Sequence, residues 1–332
     1  MMTTFKIAQF GLGPIGLETI KLAATKPWAE IVGAIDIDPG KADKDLAELT
    51  RNKALRGSKV YRSLQNLLRV VKPDLVFHTA VSRFKPAFEQ IVPMAWEGIS
   101  VVSSCEELVF PQLREPALAM KLDRICRRAG ARIIGTGVNP GFVMDLLPLC
   151  LTSVNRAVRA VHVQRVVDAS SRREPLQRKI GSGLPPQEFR RLLKAGKAGH
   201  AGLKESLALL AHCLGWKTKK ISETGDAVVA KRDTRTRYLH VKRGQTCGLH
   251  QRAEAKIDGK VRLTLDLKMY LGAEDPLDAI RIDGDPPLDL VIRGGVAGDQ
   301  ATVAMLVNTA PRLFQAPPGL LLLSDLPLPR FA

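Results

Sequence analysis

The stretch Phe5-Lys-Ile-Ala-Gln-Phe10 followed by Gly11-Leu-Gly13-Pro14-Ile15-Gly16 decides the fold of the first half of the chain. A short, mostly apolar run that ends in a glycine turn reads as a buried parallel strand. Pro14 falls in what would be a helix's first turn, where a missing N–H costs nothing. The helix is expected to run through Thr19 to about Thr25. The glycines have separate tasks in such a turn. Gly11 permits the tight bend, Gly13 lets the backbone approach a pyrophosphate, and Gly16 lets helix and strand pack closely. The helix N-terminus offers free N–H groups and a positive dipole end to phosphates. Asp36 stands 20 residues after Gly16, at the end of a second apolar run, where a carboxylate accepts hydrogen bonds from ribose hydroxyls. The G-x-G-x-x-G pattern alone is weak. Its place between a strand and a helix, with Asp36 at the expected distance, sets it apart from a turn that holds no ligand.

Outward from this turn, apolar runs at residues 31–35, 75–77, 99–102 and 132–134 alternate with helical patterns at 64–71, 87–96 and 113–129. That alternation predicts an α/β doubly wound parallel sheet of the Rossmann type. Ligands of such sheets bind beyond the carboxyl ends of the strands. Those ends carry His78-Thr79, Ser103-Ser104-Cys105-Glu106-Glu107 and Gly135-Thr136-Gly137-Val138-Asn139-Pro140-Gly141. His78 and Thr79 are candidates to line a cofactor, or else His78 is a satisfied strand-end histidine. The glycine-rich run predicts a tight loop where backbone meets ligand, or a simple hinge. Glu106 and Glu107 are either a catalytic pair or first-turn acids that favour a helix dipole. Cys105, with no histidine near it in sequence, reads as a buried thiol.

The period changes in the second half. Residues 158–167 form a valine-rich strand, 186–195 and 203–214 read as helices, and strands alternate with turns from Ala227 onward. Asp258-Gly259 between two alternating runs is a strong hairpin signal, and Asp283-Gly284-Asp285-Pro286 marks another turn. A second α+β domain with a largely antiparallel sheet is therefore predicted. The expected boundaries are 1–145, 146–310 including a helix at 298–313, and a Pro-rich tail, 311–332, that packs back on the body.

The chain has 332 residues, 45% apolar and 25% charged, which excludes wholesale disorder and a disulfide scaffold. Aromatics are only 5%, which argues against a base-stacking nucleic-acid surface. Net charge is +17. The basic residues are dispersed, and the densest stretch, 231–243, reads as strand and turn, so no nucleic-acid partner is expected. The five cysteines are scattered, with no Cys-x-x-Cys pair and no metal-ligand cluster, consistent with reduced thiols and a cytoplasmic setting. No apolar run reaches the length of a membrane span, so no membrane partner is expected.

The segments Gly-Leu-Gly-Pro-Ile-Gly, Asp36-Ile-Asp-Pro, Cys105-Glu-Glu-Leu-Val-Phe-Pro, Gly-Thr-Gly-Val-Asn-Pro-Gly-Phe142-Val-Met-Asp145, Gly199-His-Ala-Gly-Leu-Lys-Glu-Ser206 and Gly298-Asp-Gln-Ala-Thr302 resemble the dihydrodipicolinate-reductase-like proteins. More narrowly they resemble the 2,4-diaminopentanoate and native amine dehydrogenases, over nearly the whole chain. The resemblance implies NAD(P)-linked interconversion of an amine with a ketone plus ammonia, a homodimer, and an acidic catalytic residue at Glu106 or Glu107, with Glu106 favoured. The paired histidines and lysine of true dihydrodipicolinate reductases are missing. Asn139, Pro140, Phe142, Arg173 and His200 are the candidates for the substrate pocket, with Arg83 a second candidate for a substrate carboxylate. Asp36 favours NAD(H) over NADP(H), although Lys41 and Lys44 stand close enough in sequence to meet a 2′-phosphate. No metal is expected. Two other readings compete: an NAD(P)-dependent alcohol or semialdehyde dehydrogenase, and a non-catalytic dinucleotide-binding sensor.

Overall fold

The computed structural model describes residues 3–332 as two compact units. Unit 1 runs to Phe142 and takes up the chain again at Ala297–Ala332; unit 2 is Val143–Val296. The helix Gly298–Leu313, expected in the second domain, lies in unit 1 and packs on the helix Pro14–Ala23. The boundary expected near residue 310 thus falls between Val296 and Ala297.

The first six strands of unit 1 are β1 (Phe5–Phe10), β2 (Ala29–Ile35), β3 (Val60–Tyr61), β4 (Leu75–His78), β5 (Ser100–Ser103) and β6 (Arg132–Gly135). In unit 2 follow β7 (Ala157–Asp168), β8 (Lys220–Val229), a small ribbon of β9 (Thr234–Arg235) with β10 (His240–Val241), then β11 (Thr246–Ile257), β12 (Lys260–Tyr270), β13 (Leu277–Asp285) and β14 (Leu288–Arg293). The chain returns to unit 1 with β15 (Gly319–Leu321).

The first sheet has the order β15-β6-β5-β4-β1-β2-β3, and every pairing in it is parallel. The strand order therefore reverses between β1 and β4, the point at which such sheets bind ligands. Its strands are buried on both faces, which is why they read as apolar runs: Ile7, Ala8, Leu75, Val76, Phe77, Val101, Val102, Ile133 and Ile134 have no exposed surface. Phe84, Ala87, Ile91, Met94 and Ala95 of the helix Phe84–Trp96 cover one side.

Unit 2 holds a six-stranded sheet, β14-β13-β7-β12-β11-β8, antiparallel except where β7 meets β12. The β11–β12 hairpin turns at Asp258 and Gly259, both in the left-handed region at φ 51° and 78°, as an Asp-Gly turn requires. Alternate residues Leu263, Leu265 and Leu267 face inward and are fully buried, with the helix Leu203–Cys213 packed on the sheet. A buried ion pair, Arg165 Nη1 to Asp278 Oδ2 at 2.7 Å, grips the last residue of the unit: Arg165 Nη2 donates to Val296 O, and Val296 N–H donates to Asp278 Oδ2.

Candidate active site

The glycine turn is held by side chains rather than by its own sequence alone. Gly11 sits at φ 88°, a conformation that favours glycine. Its carbonyl accepts from Thr79 Oγ1 at 3.0 Å and from Gln9 Nε2 at 3.0 Å, and Gln9 Nε2 also reaches Thr79 Oγ1 at 2.9 Å. A Cβ on Gly16 would lie 1.9 Å from that same carbonyl, so only glycine lets the helix start so close to the strand. At Gly13 a Cβ would meet nothing within 4 Å. The helix Pro14–Ala23 opens there with no side-chain cap; Pro14 is exposed and Ile15 half-buried. Uncapped N–H groups facing open space are a cradle of the kind a pyrophosphate fills.

Asp36 stands just past the end of β2 and reaches back to this turn. Its Oδ2 accepts the Leu12 N–H at 2.7 Å, and its Oδ1 accepts the Asp38 N–H at 2.9 Å. Lys41 Nζ lies 3.4 Å from both the Asp36 and the Asp38 carboxylates. A carboxylate has about four acceptor sites, which leaves Asp36 capacity for ribose hydroxyls. Lys41 is thus occupied by two acids, and the residues present fit a dinucleotide.

His78 takes the second of its two expected readings, a satisfied strand-end histidine. It is fully buried, with Nδ1 2.8 Å from Ser103 Oγ and Nε2 2.8 Å from Gln90 Oε1. The Gln90 oxygen can only accept, so Nε2 donates and Nδ1 accepts the Ser103 hydroxyl. Burial pushes the ring's pKa down to about 4, so it stays neutral. Both ring nitrogens are spent inside the protein, so neither is left to bond a cofactor. His78 fixes the end of β5 instead, because Ser103 Oγ in turn accepts the Cys105 N–H at 3.1 Å. Thr79 likewise spends its hydroxyl on the glycine turn.

Beyond β5 the chain makes a short 3-10 turn, Glu106–Val109. The two adjacent acids have different surroundings. Glu107 is buried; its Oε2 accepts the Phe84 N–H at 2.8 Å, and its Oε1 meets Arg114 Nε at 3.2 Å and Arg83 Nη1 at 3.3 Å. It ties the turn to the start of the helix Phe84–Trp96. Glu106 is half-buried beside it. Cys105 is fully buried and its thiol is pushed up to about 12 by desolvation, so it is inert as a nucleophile.

The loop after β6 adjoins this turn. A Cβ on Gly135 would lie 2.5 Å from the Leu108 carbonyl carbon, so the two segments touch backbone to backbone. The loop closes on itself: Gly141 has φ 125°, and a Cβ there would lie 2.3 Å from Gly137 N. Val138 N–H donates to Thr302 Oγ1 at 3.3 Å, which seats the loop on the helix Gly298–Leu313. Asn139 and Pro140 occupy the loop and Phe142 follows it. Thr136 was not among the expected site residues, although its place between two glycines marked it.

Arg173 and His200 belong to unit 2. Arg173 precedes the helix Glu174–Lys179 and is half-buried. The main chain of His200 is clamped by Gln251 of β11: its N–H donates to Gln251 Oε1 at 2.6 Å, and its carbonyl accepts from Gln251 Nε2 at 3.1 Å. The ring Nδ1 is buried and makes no hydrogen bond among the described residues. Burial first, then Lys179, Arg165 and Arg172, push its pKa down to about 3. It is a neutral, partly buried histidine in a loop. Among the described residues no three His, Cys, Asp or Glu side chains form a metal site, and no helix is long and apolar enough to cross a membrane.

These features can be set beside known proteins. The chain is 28% identical over 335 residues to 2,4-diaminopentanoate dehydrogenase of Acetoanaerobium sticklandii, covering 99% of this chain and 95% of that one. It is 22% identical over 349 residues to an amine dehydrogenase of Streptomyces virginiae, covering 96% and 95%. The solved amine dehydrogenase of Mycobacterium smegmatis shares the fold at a TM-score of 0.87, with 22% identity over 99% of this chain and 97% of that one. The family model of the 2,4-diaminopentanoate dehydrogenase C-terminal domain matches residues 142–332, more than half of the chain, so unit 2 and the return segment that completes unit 1 both carry its pattern. The chain belongs to the 2,4-diaminopentanoate dehydrogenase family.

Proposed function

We propose that the chain is an NAD(P)-dependent amine dehydrogenase that interconverts an amine and a ketone plus ammonia. One observation carries this reading. A half-buried carboxylate, Glu106, stands past the end of β5 on the same carboxyl edge as the glycine turn. When bound, the nicotinamide exchanges a hydride with the carbon that bears nitrogen. The protein's own part is proton management. An amine arrives as an ammonium ion, which cannot release hydride. Glu106 attracts that ion and takes its proton; after passing that proton to solvent it serves as base toward the water that hydrolyses the iminium. In the opposite direction it shuttles protons as ammonia adds to a ketone. The buried network of His78, Ser103 and the Cys105 N–H keeps this acid at a fixed point of the sheet edge. The test is a ketone panel with NADH or NADPH, with and without ammonia. Ammonia-dependent oxidation supports the reading, and turnover of alcohols or semialdehydes without ammonia replaces it.

NAD(H) is the preferred cofactor in this reading, because a 2′-phosphate would meet the Asp36 carboxylate and Lys41 is already shared between two acids. Asp36→Ala is expected to weaken NADH binding and to narrow its advantage over NADPH. Unchanged Michaelis constants for both cofactors would remove Asp36 from the assignment.

The expected partner is a second copy of the chain. The apolar face of β12 lies under the unit's own helix, so the opposite, polar face of the sheet, with His250, Arg252, Glu254 and Asp266, is the one offered. Light scattering at micromolar concentration is expected to give twice the chain mass, and a monomeric mass rejects the homodimer.

A further inference from the structure

Two side chains at the end of β6 are unexplained by the roles given so far. Thr136 is 2% exposed, and its Oγ1 is buried with no hydrogen-bond partner among the described residues. Both polar atoms of the Asn139 amide, Nδ2 and Oδ1, are buried and equally unpartnered. Buried polar groups are nearly always hydrogen-bonded, and leaving one unsatisfied costs a substantial part of a domain's stability. Three such atoms within four residues call for a ligand.

The position and the chemistry indicate which one. The backbone of Thr136 is fixed, since its N–H donates to Ser103 O at 2.8 Å and so extends the β5–β6 ladder by one residue. Gly135 packs against the Leu108 backbone, which sets Thr136 beside the Glu106–Val109 turn. The apposed Gly137 and Gly141 close the loop that carries Asn139, and Thr302 pins it. The backbone that carries the unsatisfied groups is therefore fixed at the carboxyl edge, in the loop that adjoins the turn of the proposed base. An amide offers both donors and an acceptor, and a hydroxyl offers one of each. Their complement is a group that presents a carbonyl and an NH2 side by side.

We propose that Thr136 and Asn139 bind the primary carboxamide of the nicotinamide, and so set which face of that ring is turned toward Glu106. The inference rests on the dinucleotide reading above. It assigns the loop after β6 a role in orienting the ring, separate from the glycine turn that holds the pyrophosphate.

The test compares NADH with reduced 3-acetylpyridine adenine dinucleotide, in which a methyl group replaces the carboxamide NH2, by calorimetric titration of the full chain. ADP-ribose, which lacks the nicotinamide altogether, is the control. The wild-type chain is expected to bind NADH about tenfold more tightly than the acetyl analogue, the scale of one buried hydrogen bond lost. Asn139→Ala is expected to bind the two within about twofold of each other while ADP-ribose affinity is unchanged. Thr136→Val, which keeps the shape of the side chain, is a second variant and is expected to narrow the preference in the same direction. A full wild-type preference in both variants overturns the proposal, as does a wild-type chain that binds ADP-ribose but treats the two dinucleotides alike. A wild-type chain that does not bind ADP-ribose removes the dinucleotide reading itself, and this proposal with it.

Discussion

Glu106→Gln is expected to lower kcat for amine oxidation by at least about 100-fold, with NADH affinity nearly unchanged. Gln keeps the length and shape of Glu but takes no proton, and positioned general bases contribute typically about 10²–10⁴-fold. Glu107→Gln serves as the contrast. That side chain touches Arg83, Arg114 and the Phe84 N–H, so its loss is expected to act on stability, by about 1–3 kcal/mol for a buried charged partner removed, and to leave kcat within about tenfold. Steady-state kinetics and thermal melts on both variants decide the matter. A dead but stable Glu107→Gln with an active Glu106→Gln exchanges the two roles. Near-normal amine turnover in both removes the carboxylate mechanism.

Gly13→Val is expected to abolish dinucleotide binding while leaving the chain folded. The backbone at Gly13 is an ordinary extended one, φ −67° and ψ −179°, so valine introduces no conformational strain. Apart from its chain neighbours, no protein atom lies within 4 Å of the new Cβ, so the fold leaves room there. The space it would occupy is the space in front of the uncapped helix N-terminus. The same change at Gly16 would drive Cβ into the Gly11 carbonyl and damage the turn itself. Fluorescence titration with NADH beside a thermal melt reads the difference. A Gly13→Val chain that binds NADH like the wild type would unseat the glycine turn as the phosphate site.

What the amino-acid sequence made legible follows the range of the interactions involved. The strand Phe5–Phe10 and the helix that starts at Pro14 were readable because a buried strand, a glycine turn and an N-terminal proline are local rules. The Asp258-Gly259 hairpin was readable for the same reason. β15 was not: three residues, Gly319–Leu321, in a proline-rich tail show no period, and they become a strand only because the exposed edge of β6 offers them partners. The adjacent acids show the same limit at the site. Nothing local distinguishes Glu106 from Glu107. What fixes Glu107 is Arg83, Phe84 and Arg114, which are brought together by the packing of a helix against a strand end. His78 lies in the expected place at the end of β4, but the sequence left two readings of it open, since Ser103 and Gln90 reach it through tertiary contacts. Thr136 and Asn139 sat in a segment already singled out, but only the structure shows their polar atoms left without partners.

The return of the chain to unit 1 has a consequence for biosynthesis. Unit 1 is interrupted by the whole of unit 2, and its sheet closes with β15, held by Leu320 N–H on Asp123 Oδ1 at 3.0 Å and by Arg132 Nε on Ala316 O at 2.6 Å. A ribosome releases residues 3–142 long before it releases 297–332. Through that interval the edge of β6 lacks its neighbour, and the helix Pro14–Ala23 lacks the helix that covers it. Unit 2, being continuous, can finish first and then deliver the missing helix and strand as one piece. An uncovered parallel edge invites pairing with other chains. A nascent chain stalled before Gly298 is therefore expected to aggregate through the dinucleotide unit, with unit 2 already folded and protease-resistant, and to recover solubility when residues 297–332 are supplied on a separate peptide.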